Sequence, residues 1–163
     1  MIKGTVSVLE SLSKWYVFGV GDQAAEVCIA GEEHYRLIYR YHLEGFKSCP
    51  EFVLCDLEGS QLRRWRFQIG MLRTHLDLSE ESDFPMSYVV GMFGRRYFKT
   101  KEGKIPSYFL IKEQSRSFEL DGMHFEHRDY QSKISFRCPP ERLQQAIIMA
   151  HLLFQPPLME QNG

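Results

Sequence analysis

A chain of 163 residues, 44% hydrophobic and 25% charged, has the length and composition of one globular domain and excludes a disordered or fibrous protein. Its net charge of −1 excludes a general basic bias and argues against a nucleic-acid partner. The charge is uneven: residues 61–104 hold nine Lys/Arg against five Asp/Glu, and the remainder holds eleven against sixteen.

The N-terminal stretch MIKGTVSVLESLSKWYVF has no uninterrupted apolar core and no small-residue cleavage pattern, so no secretory leader is expected. Trp15, Tyr16 and Phe18 are expected to pack the wall of the domain, since a stacking platform for single-stranded nucleic acid needs interleaved basic residues that are missing there. Gly19-Val20-Gly21 is a bare G-x-G without the third glycine of a dinucleotide fingerprint. YRLIYRYHL, residues 35–43, is rich in aromatic and β-branched side chains and predicts a strand. FVLCDLEGSQLRRWRFQIG predicts strand, turn, strand, with Asp56-Leu57-Glu58-Gly59 as the turn. In its second strand Arg63, Trp65, Phe67 and Ile69 share one face and Arg64, Arg66 and Gln68 the other, so Trp65, Phe67 and Ile69 should be buried.

The polar, acidic segment HLDLSEESDFP, residues 75–85, reads as an exposed loop. YVVGMFGRRYFKTKEGKIPSYFLIK predicts two or three strands, turning at Lys101-Glu102-Gly103-Lys104. SFELDGMHFEH predicts a hairpin around Asp121-Gly122. In YQSKISFRC, Tyr130, Ser132, Ile134, Phe136 and Cys138 alternate with polar partners. Pro139 and Pro140 fit a first helical turn, Glu141 suits the positive end of the helix dipole, and Pro156 and Pro157 stop the helix. From Ala146 to Phe154 only His151 is polar. A helix hydrophobic nearly all round must be enclosed, and nine residues are too few to span a bilayer, so a buried core helix over about 140–154 is expected. No apolar run approaches 18 residues, so no transmembrane helix is expected. The four cysteines (Cys28, Cys49, Cys55, Cys138) lack a C-x-x-C pair, which fits free thiols and a cytoplasmic location.

With the strands and the helix in place, YQSKISFRCPPERLQQAIIMAHLLF resembles the end of the tubby C-terminal domain and of its relatives, the LURP-one-like and phospholipid-scramblase proteins. In those families a last strand leads through a Pro-containing turn into a hydrophobic helix that runs through a β-barrel. Leu143, Ala146, Ile147 and Ile148 stand where that pattern buries residues, and FVLCDLEGSQLRRWRF is similar to the strand, D-x-x-G, strand hairpin of LURP-one-like chains. The resemblance implies a mainly β fold: a closed barrel of short antiparallel strands around the C-terminal helix, one domain over 1–163 with 155–163 as a short tail. It also implies a non-enzymatic binding or adaptor domain, engaging an anionic, phosphoinositide-like lipid headgroup at a membrane surface or a protein partner. The chain is shorter than animal tubby domains and lacks the scramblases' cysteine-rich stretch and apolar C-terminal segment, which argues against lipid scrambling. No residue aligns with the basic contacts of animal tubby proteins, so none is carried over.

Arg64 and Arg66 share a strand face, and Arg95, Arg96, Lys99, Lys101 and Lys104 follow nearby, so these cations are the candidates for gripping a phosphate. The competing reading is a solvated strand face. In HFEH, His124 and Glu126 share a face and His127 points away, so no single metal is expected there. His127-Arg128-Asp129 copies the kinase HRD triplet without its accompanying motifs. Cys55 and Cys138 read as core thiols, and His151 as a neutral imidazole hydrogen-bonded inside the barrel or at its mouth. No cofactor is implied. Two alternatives remain: a lipocalin-like barrel with an open lumen and the helix outside, or a small enzyme using His124, His127 or a thiol.

Overall fold

Alternation of apolar and polar residues, punctuated by tight turns, builds a chain of short strands. The structure is a computed structural model and describes residues 1–8, 21–41, 43–44, 47–48, 50–79, 85–91, 95–106, 116–127 and 133–154. In chain order the strands are β1 (Ile2–Val8), β2 (Gly21–Ile29), β3 (Glu32–Tyr41), β4 (Leu43–Glu44), β5 (Lys47–Ser48), β6 (Glu51–Asp56), β7 (Gln61–Ile69), β8 (Thr74–Asp77), β9 (Met86–Val90), β10 (Arg96–Thr100), β11 (Gly103–Pro106), β12 (Arg116–Leu120), β13 (Met123–His127) and β14 (Lys133–Cys138). A 3₁₀ turn at Pro140–Arg142 opens helix α1 (Leu143–Phe154).

Twelve strands form one antiparallel sheet in the order β11-β10-β9-β8-β7-β6-β3-β2-β1-β14-β13-β12, with β4 and β5 as a separate small hairpin. The ladder registers align apolar residues on one face of the sheet. One row runs Phe98, Tyr88, Leu76, Phe67, and another Phe118, Phe125, Phe136, Gly4. Two of the turns that the sequence predicts show why they form. Asp56 Oδ1 accepts the N–H groups of Glu58 (3.0 Å) and Ser60 (2.9 Å) between β6 and β7. Asp121 and Gly122 both adopt positive φ (54° and 83°) between β12 and β13, the geometry for which Asp-Gly is favoured.

The expected β-rich domain with one C-terminal helix is what the chain forms. Residues Ala146 to Leu153 are all buried. α1 packs on β14, β1 and β13, while its His151 meets Phe52 of β6 and its Gln145 reaches the carbonyl of Leu78 just past β8. The helix is therefore covered by strands from both halves of the sheet, where a lipocalin-like arrangement would leave it outside. The edge strands β11 and β12 are not hydrogen-bonded to each other among the described residues. The rings of Phe98 and Phe118 nevertheless lie 6.4 Å apart, bringing the two ends of the sheet together.

A buried polar strap crosses the start of the helix. Arg142, only 2% exposed, donates to the Asp121 carbonyl (2.6 Å), pairs with its carboxylate (2.8 Å) and donates to Gln145 Oε1 (2.8 Å). Gln145 Nε2 in turn donates to the Leu78 carbonyl (2.9 Å). The strap ties the β12–β13 turn to the far side of the sheet and satisfies polar groups that would otherwise be costly to bury.

Two expectations are corrected. The segment from residue 75 is not an exposed loop at its start: Thr74–Asp77 is β8, paired with β7 and β9, with Leu76 and Leu78 fully buried. The acidic neighbours mask a period-2 pattern whose apolar members face the core. Ile69 follows the parity of Trp65 and Phe67 but stays half exposed (51%), because it is the last residue of β7 and sits beyond the packed region. Trp15, Tyr16, Phe18, Cys49, Arg128, Tyr130, Ser132 and the segments 80–84 and 155–163 lie outside the described residues.

Candidate functional site

The structure separates the predicted basic residues. Arg64 and Arg66 do share the outer face of β7, but both are engaged by Glu51 of β6, whose carboxylate is buried: Arg64 Nε and Arg66 Nε approach Glu51 Oε2 at 3.3 and 3.2 Å. Lys99 shares that outer parity, opposite Lys104, whose ammonium sits 5.0 Å over the Tyr97 ring. Lys101 is in the β10–β11 turn. Arg96 belongs to the opposite, core-facing parity with Phe98, and Arg95 precedes it in the β9–β10 turn. Arg66 and Lys99 lie three strands apart in the sheet order, or about 14 Å at normal strand spacing. The set is therefore not one phosphate grip.

A different grouping appears at one end of the sheet. The β7–β8 turn carries Met71 and Leu72, both strongly exposed, beside the half-exposed Ile69 and the exposed Arg73. Thr74 pairs with Val90 and Val90 with Arg96, so the turn holding Arg73 and the turn holding Arg95 project side by side. Each is closed by a backbone hydrogen bond, Gly70 N–H to the Arg73 carbonyl (2.9 Å) and Gly91 N–H to the Arg95 carbonyl (2.7 Å). No acidic residue lies in 69–74 or 91–96. Sequence reasoning missed Met71, Leu72 and Arg73; the available signal is an apolar pair placed directly after a strand, in a Gly-initiated turn, where no core position exists.

The second distinct surface is a groove of about 500 Å³ on the outer face of β1, β2, β13 and β14. His124 and Glu126 both border it, while His127 faces the core, as the parity of HFEH predicts. His124 Nδ1 lies 3.1 Å from Glu119 Oε1. Cys28 borders the groove and is half-buried; Cys55 and Cys138 are buried free thiols, and burial pushes Cys138 up to about 11. Among the described residues no group of three His, Cys, Asp or Glu side chains is placed to hold a metal ion.

His151 is buried, as expected, but lacks the expected hydrogen bond. It is buried beside Phe52 in an edge-on contact (5.2 Å), and neither ring nitrogen has a hydrogen-bond partner among the described residues. Burial pushes its pKa down to about 4, so it is neutral near pH 7. No described helix is long and apolar enough to cross a membrane. In comparison with known proteins, no family model, no curated protein and no solved structure matches this chain, so its surfaces are read from their own residues.

Proposed function

We propose that the domain is a non-enzymatic binding module that docks on an anionic lipid surface with the end of the sheet carrying the β7–β8 and β9–β10 turns. The observation that carries this reading is the exposure of Met71 and Leu72 between Ile69 and Arg73, next to Arg95 in the adjoining turn. Exposed apolar side chains at a tip are stabilised by entering the interfacial region of a bilayer, and each nearby Arg adds about 1 kcal/mol at an anionic surface. Of the cations singled out in the sequence, Arg95 and Arg96 belong to this end; Arg64 and Arg66 are held by Glu51. The same reading takes the domain as a tubby-like barrel closed around α1. The Phe98–Phe118 approach supports closure, and so does the fact that the two edge strands, β11 and β12, are consecutive in the chain.

Flotation with phosphatidylserine-containing and purely phosphatidylcholine vesicles tests the proposal. Binding is expected to the anionic vesicles at 0.1 M salt and to weaken at 1 M, where the Debye length falls from about 10 to about 3 Å. Met71→Asp/Leu72→Asp should abolish it, and Arg73→Glu/Arg95→Glu should lower it by roughly tenfold or more, from about 1 kcal/mol per cation removed and the added repulsion. Equal binding to both vesicle types, or none to either, overturns the lipid reading and leaves a protein partner for the tip.

A further inference from the structure

We propose that the groove on the outer face of β1, β2, β13 and β14 binds a small phosphate monoester of a hydroxylated compound, with the phosphate between Lys3 and Arg137 and a hydroxyl of the organic part toward Glu126. Lys3 and Arg137 are direct cross-strand partners on β1 and β14, and Arg137 is in turn opposite His124 on β13. Like charges directly opposite one another on a sheet are destabilising unless something neutralises them. The side chains of Lys3 and Arg137 make no hydrogen bond or ion pair with a described residue; Glu119, at the end of that row, faces His124 at 3.1 Å, and Glu126 stands one row away. Two adjacent cations match the charge of a phosphate monoester, about −1.5 to −2 near pH 7, better than that of a single carboxylate. The guanidinium supplies a planar fork suited to phosphate oxygens.

The next transverse row holds Cys28, Thr5, Ser135 and Glu126 in register, so hydroxyl groups and one carboxylate adjoin the cation pair. Glu126 repels a second anion and accepts from a donor, which is why the organic part is assigned hydroxyls. The concavity has a local cause. The β2–β3 ladder shifts by one residue between Val27 and Cys28, and such a bulge increases the twist of the strands at that point. The groove volume of about 500 Å³ falls within the usual range for small-molecule sites, about 300–1,000 Å³. This site is separate from the tip proposed to meet lipid, and the two proposals fail independently.

Cys28 reports on occupancy, because it borders the groove while Cys55 and Cys138 are buried. Alkylation of the whole chain by iodoacetamide, followed at the Cys28 peptide by mass spectrometry, is measured with glucose 6-phosphate, glucose, gluconate and inorganic phosphate. Glucose 6-phosphate should protect Cys28 saturably, inorganic phosphate only at higher concentration, and glucose and gluconate not at all. Lys3→Gln and Arg137→Gln, at exposed positions, should each weaken protection at least tenfold without lowering the thermal midpoint, since each removes one of two opposed like charges, and should leave vesicle flotation unchanged. Absence of saturable protection by glucose 6-phosphate, protection by glucose equal to that by its phosphate, or full protection in both variants overturns the proposal.

Discussion

Gly4 has no side chain because β1 leaves no room for one. A Cβ built there would lie 2.5 Å from Phe136 Cζ, 2.7 Å from the Cys28 carbonyl oxygen and 2.9 Å from Ile29 Cδ1. Phe136 is 1% exposed and pairs with Phe125 across the β13–β14 ladder, so its ring has nowhere to go, and the Cys28 carbonyl is fixed backbone. In an open strand, Gly→Ala would stabilise by roughly 0.5–1 kcal/mol through the unfolded chain's entropy. Overpacking a rigid site costs about 1–3 kcal/mol, and here it should win, leaving Gly4→Ala less stable by about 1–2 kcal/mol. At this chain length that corresponds to a melting midpoint lower by roughly 2–8 °C. Urea unfolding followed by tryptophan fluorescence should show a lower midpoint at unchanged slope. Phe136→Leu removes the clashing ring atom, so the double variant should be more stable than the sum of the single effects by about 0.5 kcal/mol or more. Wild-type stability in Gly4→Ala, or strict additivity with Phe136→Leu, would refute the packing argument.

The buried imidazole of His151 makes stability depend on acid: its folded pKa, about 4, is below the unfolded value of 6.5, so its contribution is complete above pH 6.5 and is lost as pH falls toward 4. The loss amounts to roughly 3 kcal/mol at full protonation, and urea midpoints measured between pH 7 and 4 should decline less steeply in His151→Leu than in the wild type. A parallel decline in both would assign the acid sensitivity to other groups. Arg64→Glu/Arg66→Glu surrounds a buried Glu51 carboxylate with like charges. Removing the partner of a buried ion costs about 3–5 kcal/mol; because both arginines are partly solvated, roughly 2 kcal/mol is expected here. Adding Glu51→Gln should recover most of it, and a double reversal as stable as the wild type would show that Glu51 needs neither arginine.

The helix and the last strand were legible because their patterns admit one solution. An apolar run interrupted only by His151 cannot face water, and strict alternation from Lys133 to Cys138 can only put Ile134, Phe136 and Cys138 on one side. The Asp121-Gly122 and Asp56–Gly59 turns were readable from local chemistry. β8 is hidden in the sequence because, within a polar and acidic stretch, only Leu76 and Leu78 carry the burial. The partnership of Glu51 with Arg64 and Arg66 depends on the β6–β7 register, and Arg64 and Arg66 taken alone resemble any solvated strand face. The groove is less legible still. Lys3, Cys28, Glu126 and Arg137 come from four strands, and only the β1–β14 pairing brings the two ends of the chain's ladder together.

That pairing also sets the order of events during synthesis. Residues 2–8 are made before every other strand of the sheet, yet one of their two neighbours, β14, is made more than a hundred residues later, and α1 follows it. At about 5–20 residues per second the first strand waits on the order of ten seconds for its second neighbour. Through that interval the strands from β2 to β10 can pair as successive hairpins, but the apolar face that α1 will cover remains wet. The nascent sheet is thus sticky until α1 arrives, and its vulnerability to self-association in the cell is a property of translation time as much as of the finished fold.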